Sequence, residues 1–304
     1  MLVLHDARNR EQVEFVRFFP DGQSLFTVTY QSLPIWNITQ STGPSTSQLN
    51  LSQVRRATIT PDSKTLISDH NQLTITDLDS GHSQSPTLRN SMWRCRFALT
   101  PCGTRLLLYP YTTPLRRMCW PLADPQEDSA LWSQEYTHQI SNGPCCIAGD
   151  RFVVTQPWWD REHGESIFQY GIYSIKTGEC LREVEGPDIA GDSLIASWDG
   201  QHIAGLLSSR VIVMSIEDIS KPAAILKNDS RKHFTGIAFH PSGRYLAATS
   251  NDATVKLFDT TTWQVAKTYT WAIGRMRSIA FSPDGTLAAA GSDTGKIVVW
   301  DVDL

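Results

Sequence analysis

An all-β fold of seven repeated four-stranded sheets is predicted by three observations. First, two stretches near the C-terminus repeat each other. Ile237-Ala238-Phe239-His240-Pro241-Ser242-Gly243 leads to Leu257-Phe258-Asp259, and Ile279-Ala280-Phe281-Ser282-Pro283-Asp284-Gly285 leads to Val299-Trp300-Asp301. Pro241 to Pro283 and Phe258 to Trp300 both span 42 residues. Second, turns of related chemistry recur along the whole chain at similar steps. Third, the sequence between turns alternates or runs apolar over short stretches, as in Leu25-Phe26-Thr27-Val28, and no window of a dozen residues has helical periodicity. A period near 42 that closes on Trp-Asp is the pattern of a four-stranded β-propeller blade.

The turns read Pro20-Asp21-Gly22, Pro61-Asp62-Ser63, Pro101-Cys102-Gly103, a degenerate Ala148-Gly149-Asp150, Trp198-Asp199-Gly200, and then the two clear copies. The steps between them are 41, 40, 47, 50, 43 and 42 residues. Pro presets φ, Asp and Ser bond the local backbone, and Gly accepts positive φ. Third strands end at Trp36-Asn37, Thr76-Asp77, Trp120-Pro121, Tyr173-Ser174, Met214-Ser215, Phe258-Asp259 and Trp300-Asp301, which makes seven blades. They run approximately 13–51, 54–89, 93–134, 143–184, 192–226, 234–270 and 276–304 within a single domain covering 1–304.

On these residues the chain resembles the WD-repeat family of β-propellers, clearly in blades six and seven and in register elsewhere. The resemblance implies that the last blade is shared between the two chain ends. Met1-Leu2-Val3-Leu4-His5 is then expected to supply its missing outer strand and hide its edge. It also implies a buried network of Ser or Thr, Asp and Trp in each blade. Here the Gly-His positions hold Asp229-Ser230 and Trp271-Ala272, and the Asp position is Asp252 in blade six but Thr294 in blade seven. The networks are therefore expected to be incomplete.

Composition narrows the function. The formal net charge is −4, too small to argue for steering. No apolar run approaches the ~20 residues of a membrane helix, and the first residues lack the basic and apolar regions of a signal peptide. A cytoplasmic protein without membrane contact is expected. Six cysteines without a Cys-x-x-Cys spacing suggest buried free thiols and no zinc site. The slightly acidic balance and the lack of a long basic run argue against nucleic acid. The Phe-Arg-Arg-Gly motif of lipid-binding propellers is absent at both Arg-Arg pairs. No phosphate loop or nucleophile motif is present, and no cofactor is implied.

In such an architecture one rim carries the loops that enter each first strand and those between second and third strands. Arg55, Arg56, Arg94, Arg161, Arg275 and Arg277 fall there, whereas the Pro-Asp-Gly rim is acidic. Arginine suits bidentate contact with carboxylate or phosphate, so an acidic or phosphorylated protein segment is the expected partner. Glu14 is expected to pair with Arg277. Blade four carries an insertion, Pro157-Trp158-Trp159-Asp160-Arg161-Glu162-His163-Gly164-Glu165, read as a polar loop. Trp158 and Trp159 there are either binding anchors or a cover over Trp132 or Tyr111. The reading is a non-catalytic protein-interaction scaffold. The alternative is a propeller enzyme, a metal-assisted hydrolase, with Glu14, Asp192 and His233 at the channel mouth.

Overall fold

The structure is a computed structural model that describes residues 1–5, 11–39, 54–70, 72–86, 91–112, 116–124, 127–135, 145–160, 165–189, 193–228 and 232–302. The first strand is β1 (Leu2–His5). Blade one follows with β2 (Phe15–Phe18), β3 (Ser24–Val28) and β4 (Ile35–Asn37). Blade two is β5 (Arg56–Ile59), β6 (Thr65–His70), β7 (Gln72–Asp77) and β8 (Ser83–Gln84). Blade three is β9 (Ser91–Leu99), β10 (Arg105–Thr112), β11 (Arg116–Pro121) and β12 (Trp132–Glu135). Blade four is β13 (Cys145–Ala148), β14 (Arg151–Asp160), β15 (Glu165–Ser174) and β16 (Cys180–Glu185). Blade five is β17 (Ile195–Ala196), β18 (His202–Leu207), β19 (Arg210–Ser215) and β20 (Ala224–Lys227). Blade six is β21 (Phe234–Phe239), β22 (Tyr245–Ser250), β23 (Thr254–Asp259) and β24 (Val265–Thr270). Blade seven is β25 (Met276–Phe281), β26 (Leu287–Ser292) and β27 (Lys296–Asp301).

The seven sheets follow one another as antiparallel meanders, so the expected seven-bladed β-propeller is the architecture found. Blade one shows three strands among the described residues. In blade seven the sheet order is β1-β27-β26-β25. β1 pairs antiparallel with β27 in the register Leu2↔Val299, Val3↔Val298, Leu4↔Ile297 and His5↔Lys296. The expected closure is therefore present.

Turn chemistry explains why the repeats survive sequence drift. In blade seven Ser282 Oγ donates to Asp284 Oδ1 (2.6 Å), and Asp284 accepts the Thr286 N–H (3.0 Å). Those two donors hold the Asp284 carboxyl below its ordinary pKa. Gly285 then adopts φ of +75°, which costs a residue without Cβ nothing. Blade two repeats the geometry through Thr60 and Asp62 (2.5 Å), with Ser63 at φ of +62° in the place of the glycine.

The described residues cluster in two compact units: Met1–Ile59 with Leu206–Val211 and Ala224–Leu304, and Thr60–Gly205 with Ile212–Ala223. In the first unit Leu4, Val13, Val16, Phe18, Leu25, Trp36, Ile297 and Val299 share one buried cluster. In the second, Leu107, Tyr109, Cys119, Phe152, Val154 and Tyr173 share another. Phe152 is fully buried and stacks on both Trp132 (centroids 5.9 Å apart) and Tyr173 (5.1 Å), with Tyr109 edge-on at 6.2 Å.

The blade networks are uneven. Trp36 Nε1 donates to Thr27 Oγ1 at 3.0 Å. In blade six Asn228 Nδ2 donates to Ser250 Oγ (2.8 Å), and Asp252 Oδ1 accepts from Thr254 Oγ1 (2.5 Å). In blade seven Thr294 Oγ1 donates to the Ile273 carbonyl (2.5 Å), and the buried Trp300 Nε1 finds no acceptor among the described residues. In blade one the indole's acceptor is Thr27 on the second strand; the aligned residue in blade seven is Ala290, which offers no acceptor, and an unsatisfied buried N–H costs about 1–3 kcal/mol.

Candidate functional site

The first unit places five arginines at or just before the first strands of its blades. Arg55 is exposed ahead of β5, and Arg56, its first residue, is half-buried. Arg275 is exposed ahead of β25, and Arg277 within it is half-buried. Arg275 is anchored at its backbone, whose N–H donates to Asp293 Oδ1 (2.9 Å), while its guanidinium lies 4.0 Å from Asp293 Oδ2. Exposed pairs of that length contribute about 0–1 kcal/mol, so the Arg275 head remains available to a ligand.

The fifth arginine, Arg17 on β2, is absent from the sequence-based set. Its guanidinium is held below its ordinary pKa, first because protein surrounds it and then by the charge of Arg56. Water still reaches the side chain, so Arg17 stands in an enclosed but wetted position and stays a cation at neutral pH. The signal in the sequence was slight: Arg17 is the one polar residue of Phe15-Val16-Arg17-Phe18, and the outward phase of that strand shows in its burial pattern.

The remaining expectations fare differently. Glu14 does not pair with Arg277. Glu14 is exposed and accepts from Gln12 Nε2 (2.9 Å), and no ion pair joins it to Arg277 among the described residues. Arg94 lies in β9 and Arg161 lies outside the described residues. The insertion of blade four is a hairpin extension and not a loop up to Asp160. Trp158 pairs with Ile167 and Trp159 with Ser166 in the β14–β15 ladder. The ladder continues because Trp, Phe and Ile suit a strand. Pro157 lies beyond the described β13–β14 pairing, which runs from Arg151 to Val154. Trp132 is occupied by Phe152 and by the Ile175 carbonyl, which accepts from its Nε1 (2.9 Å).

Catalytic readings find little here. Asp192 lies outside the described residues, and among the described residues no group of three or more His, Cys, Asp or Glu gathers as a metal site would require. His240 is buried and spent on structure, bonding Ser242 Oγ (2.7 Å) and the Gly285 carbonyl (2.9 Å). No helix of the described residues is long and apolar enough to cross a membrane.

The thiols are not uniformly buried as expected: Cys119 and Cys146 are, but Cys102 and Cys180 are exposed. Cys102 takes the place that Asp holds in four other turns. The hydroxyls of Thr100 (3.3 Å) and Thr104 (3.0 Å) pull its pKa down to about 7. Burial pushes Cys119 up to about 11. Since the thiolate is the nucleophile, iodoacetamide should label Cys102 with a pH midpoint near 7 and leave Cys119 unlabelled until the protein unfolds. Peptide mapping across pH 6 to 9 checks this, and a Cys102 midpoint near that of a free thiol would refute it.

Comparison with known proteins agrees with this architecture. The family model "WD domain, G-beta repeat" matches residues 221–259 and 266–301. Residues 221–301 thus match the WD repeat, and the seven sheets have the β-propeller architecture that such repeats build. The chain is 28% identical over 162 residues to "Protein hir1" of Schizosaccharomyces pombe, covering 49% of this chain and 17% of that protein. It is 25% identical over 131 residues to "Target of rapamycin complex subunit wat1" of the same yeast, covering 43% and 41%. It is 27% identical over 189 residues to the "Serine-threonine kinase receptor-associated protein" of Rattus norvegicus, covering 59% and 46%. The matches span less than half the length of each of these relatives. WD-repeat propellers such as these are typically protein-interaction scaffolds.

Proposed function

We propose that the protein is a non-catalytic scaffold that receives an acidic or phosphorylated segment of a partner protein on its arginine-bearing surface. The observation that carries this reading is that Arg17, Arg55, Arg56, Arg275 and Arg277 lie in or just before first strands of one unit, with Arg17 and Arg56 close enough for their charges to act on each other. Like charges are gathered at a folding cost that a bound anion would offset, and guanidinium forks match carboxylate and phosphate oxygens. A rigid sheet framework holds such groups in place, so binding loses little conformational freedom. Arg94 and Arg161, with the Trp158–Trp159 hairpin, are proposed separately as partner contacts of the second unit. Two of the relatives named above are, by name, a complex subunit and a receptor-associated protein, which supports a scaffold role.

The test is a binding titration with acidic peptides, phosphorylated and not, at low and high salt. Affinity should fall as salt rises, because exposed charges are screened within ~8–10 Å at physiological ionic strength. Arg55→Glu with Arg275→Glu should leave the melting temperature nearly unchanged and weaken binding about tenfold or more, mostly through slower association. Affinity indifferent to salt and to both reversals would remove the arginines from the account.

A further inference from the structure

Trp198 is the one exposed tryptophan among the described side chains, with 65% of its surface accessible. A single exposed apolar side chain is ordinary, so the case rests on where this one stands. Five other blades have proline at the same turn position: Pro20, Pro61, Pro101, Pro241 and Pro283. The turn does not need the indole. Ser197 Oγ donates to Asp199 Oδ1, the Gln201 N–H donates to the same oxygen (3.0 Å), and the Gly200 N–H donates to the Ser197 carbonyl (2.9 Å). These bonds reproduce the scaffold of blade seven, where no aromatic takes part. The indole is therefore displayed on a turn that is already fixed, and it loses little freedom on binding.

The setting of Trp198 is acidic. A Cβ at Gly200 would lie 2.9 Å from the Gly149 nitrogen, so this turn lies against Gly149-Asp150, and Asp150 is 95% exposed. The Ile216 N–H donates to the Gln201 carbonyl (2.9 Å), which brings Glu217 and Asp218 beside the same turn. Burial works against ionising Asp199, but the Ser197 hydroxyl and Gln201 N–H outweigh it and keep the carboxylate charged. The neighbouring cations share their charge with three of these carboxylates, so Asp199 is the one of the four that no ion pair offsets among the described residues. Arg182 donates to the carbonyls of Glu217 (2.8 Å) and Ile216 (2.6 Å), Arg151 lies between Asp150 (3.7 Å) and Glu217 (2.9 Å), and Lys221 pairs with Asp218 (3.2 Å). All these residues belong to the second unit.

We propose that this turn is a docking surface for an arginine-bearing segment of a partner protein. A guanidinium lies on the indole face of Trp198, and Asp199, with the exposed Asp150 and Glu217 that share Arg151, supplies the complementary charge. A cation over the face of an indole is the strongest of the cation–π pairings, and surrounding carboxylates favour a basic segment over an acidic one. The charge sought is the opposite of that proposed for the arginines of the first unit, so the two proposals fail independently.

The experiment follows the indole N–H resonance of Trp198 in the full chain, assigned by its disappearance in Trp198→Ala, during titration with an arginine-rich nonapeptide. A glutamate-rich nonapeptide and a leucine-rich one of the same length are titrated in parallel. The expected result is a saturable shift with the arginine peptide alone. Binding should weaken about fivefold or more in Trp198→Ala and in Asp150→Lys and be partly retained in Trp198→Phe. The melting temperature of Trp198→Ala should match that of the parent. Overturning results are no shift with the arginine peptide, equal shifts with all three, or a melting temperature several degrees lower in Trp198→Ala, which would make the indole a packing residue. A dimer in sedimentation that Trp198→Ala dissolves would likewise overturn it, by identifying the occupant as a second copy of the chain.

Discussion

Removal of residues 1–5 should lower the melting temperature by several degrees and make the protein prone to associate. Leu4 is 3% exposed and belongs to the cluster that includes Trp36, Ile297 and Val299. Burying one such side chain contributes about 1.5–3 kcal/mol, and half-buried Leu2 adds a smaller share. In chains of about 150–250 residues each kcal/mol moves the midpoint by roughly 2–4 °C, and a chain of 304 residues should respond a little less per kcal/mol. The deletion also bares the β27 edge from Lys296 to Val299, which β1 now covers. An unpaired apolar edge is a template for another chain, so light scattering should rise on heating. Leu4→Asp keeps the strand and should reproduce the loss in stability. An unchanged midpoint in both variants would mean that β1 does not close the blade in solution.

Phe152→Ala should produce the largest loss from a single substitution, about 3–5 kcal/mol, the range for truncating a buried aromatic. Its ring is fully buried between Trp132 and Tyr173, and Arg117 caps the outer face of that group, 3.8 Å from the Tyr173 centroid. Stacked and edge-on partners add roughly 0.5–1.5 kcal/mol beyond the buried area. Leu181→Ala, with 56% of its side chain exposed, serves as the control and should fall within about 0.5 kcal/mol of the parent. Chemical denaturation measures both. Similar midpoints for the two variants would contradict the packing of blade four described above.

The blade repeat was legible where local chemistry forces it. Pro283-Asp284-Gly285 and Pro61-Asp62-Ser63 announce their turns because the hydroxyl two residues before the Asp and the N–H two residues after it both need that carboxylate. Closure was legible because β27 ends the repeat one strand short. The β14–β15 hairpin was not, since Pro157, Asp160 and Glu165 read as loop residues and only pairing with the facing strand overrides them. The separation of Glu14 from Arg277 was equally hidden, because register fixes where a strand starts and not where a long side chain reaches. Arg17 escaped notice as one polar residue in an apolar strand. Trp198 passed as a variant of the turn proline; its exposure shows only once the neighbouring turns are in place.

The central claim, a scaffold that binds through fixed arginines, is tested most directly by quantitative capture from cell extract. Wild-type protein and Arg55→Glu/Arg275→Glu, matched in melting temperature, are compared side by side at low and high salt. The account predicts a discrete set of proteins with acidic or phosphorylated segments on the wild type, lost both in the variant and at high salt. An identical set on both proteins at both salt concentrations would contradict it.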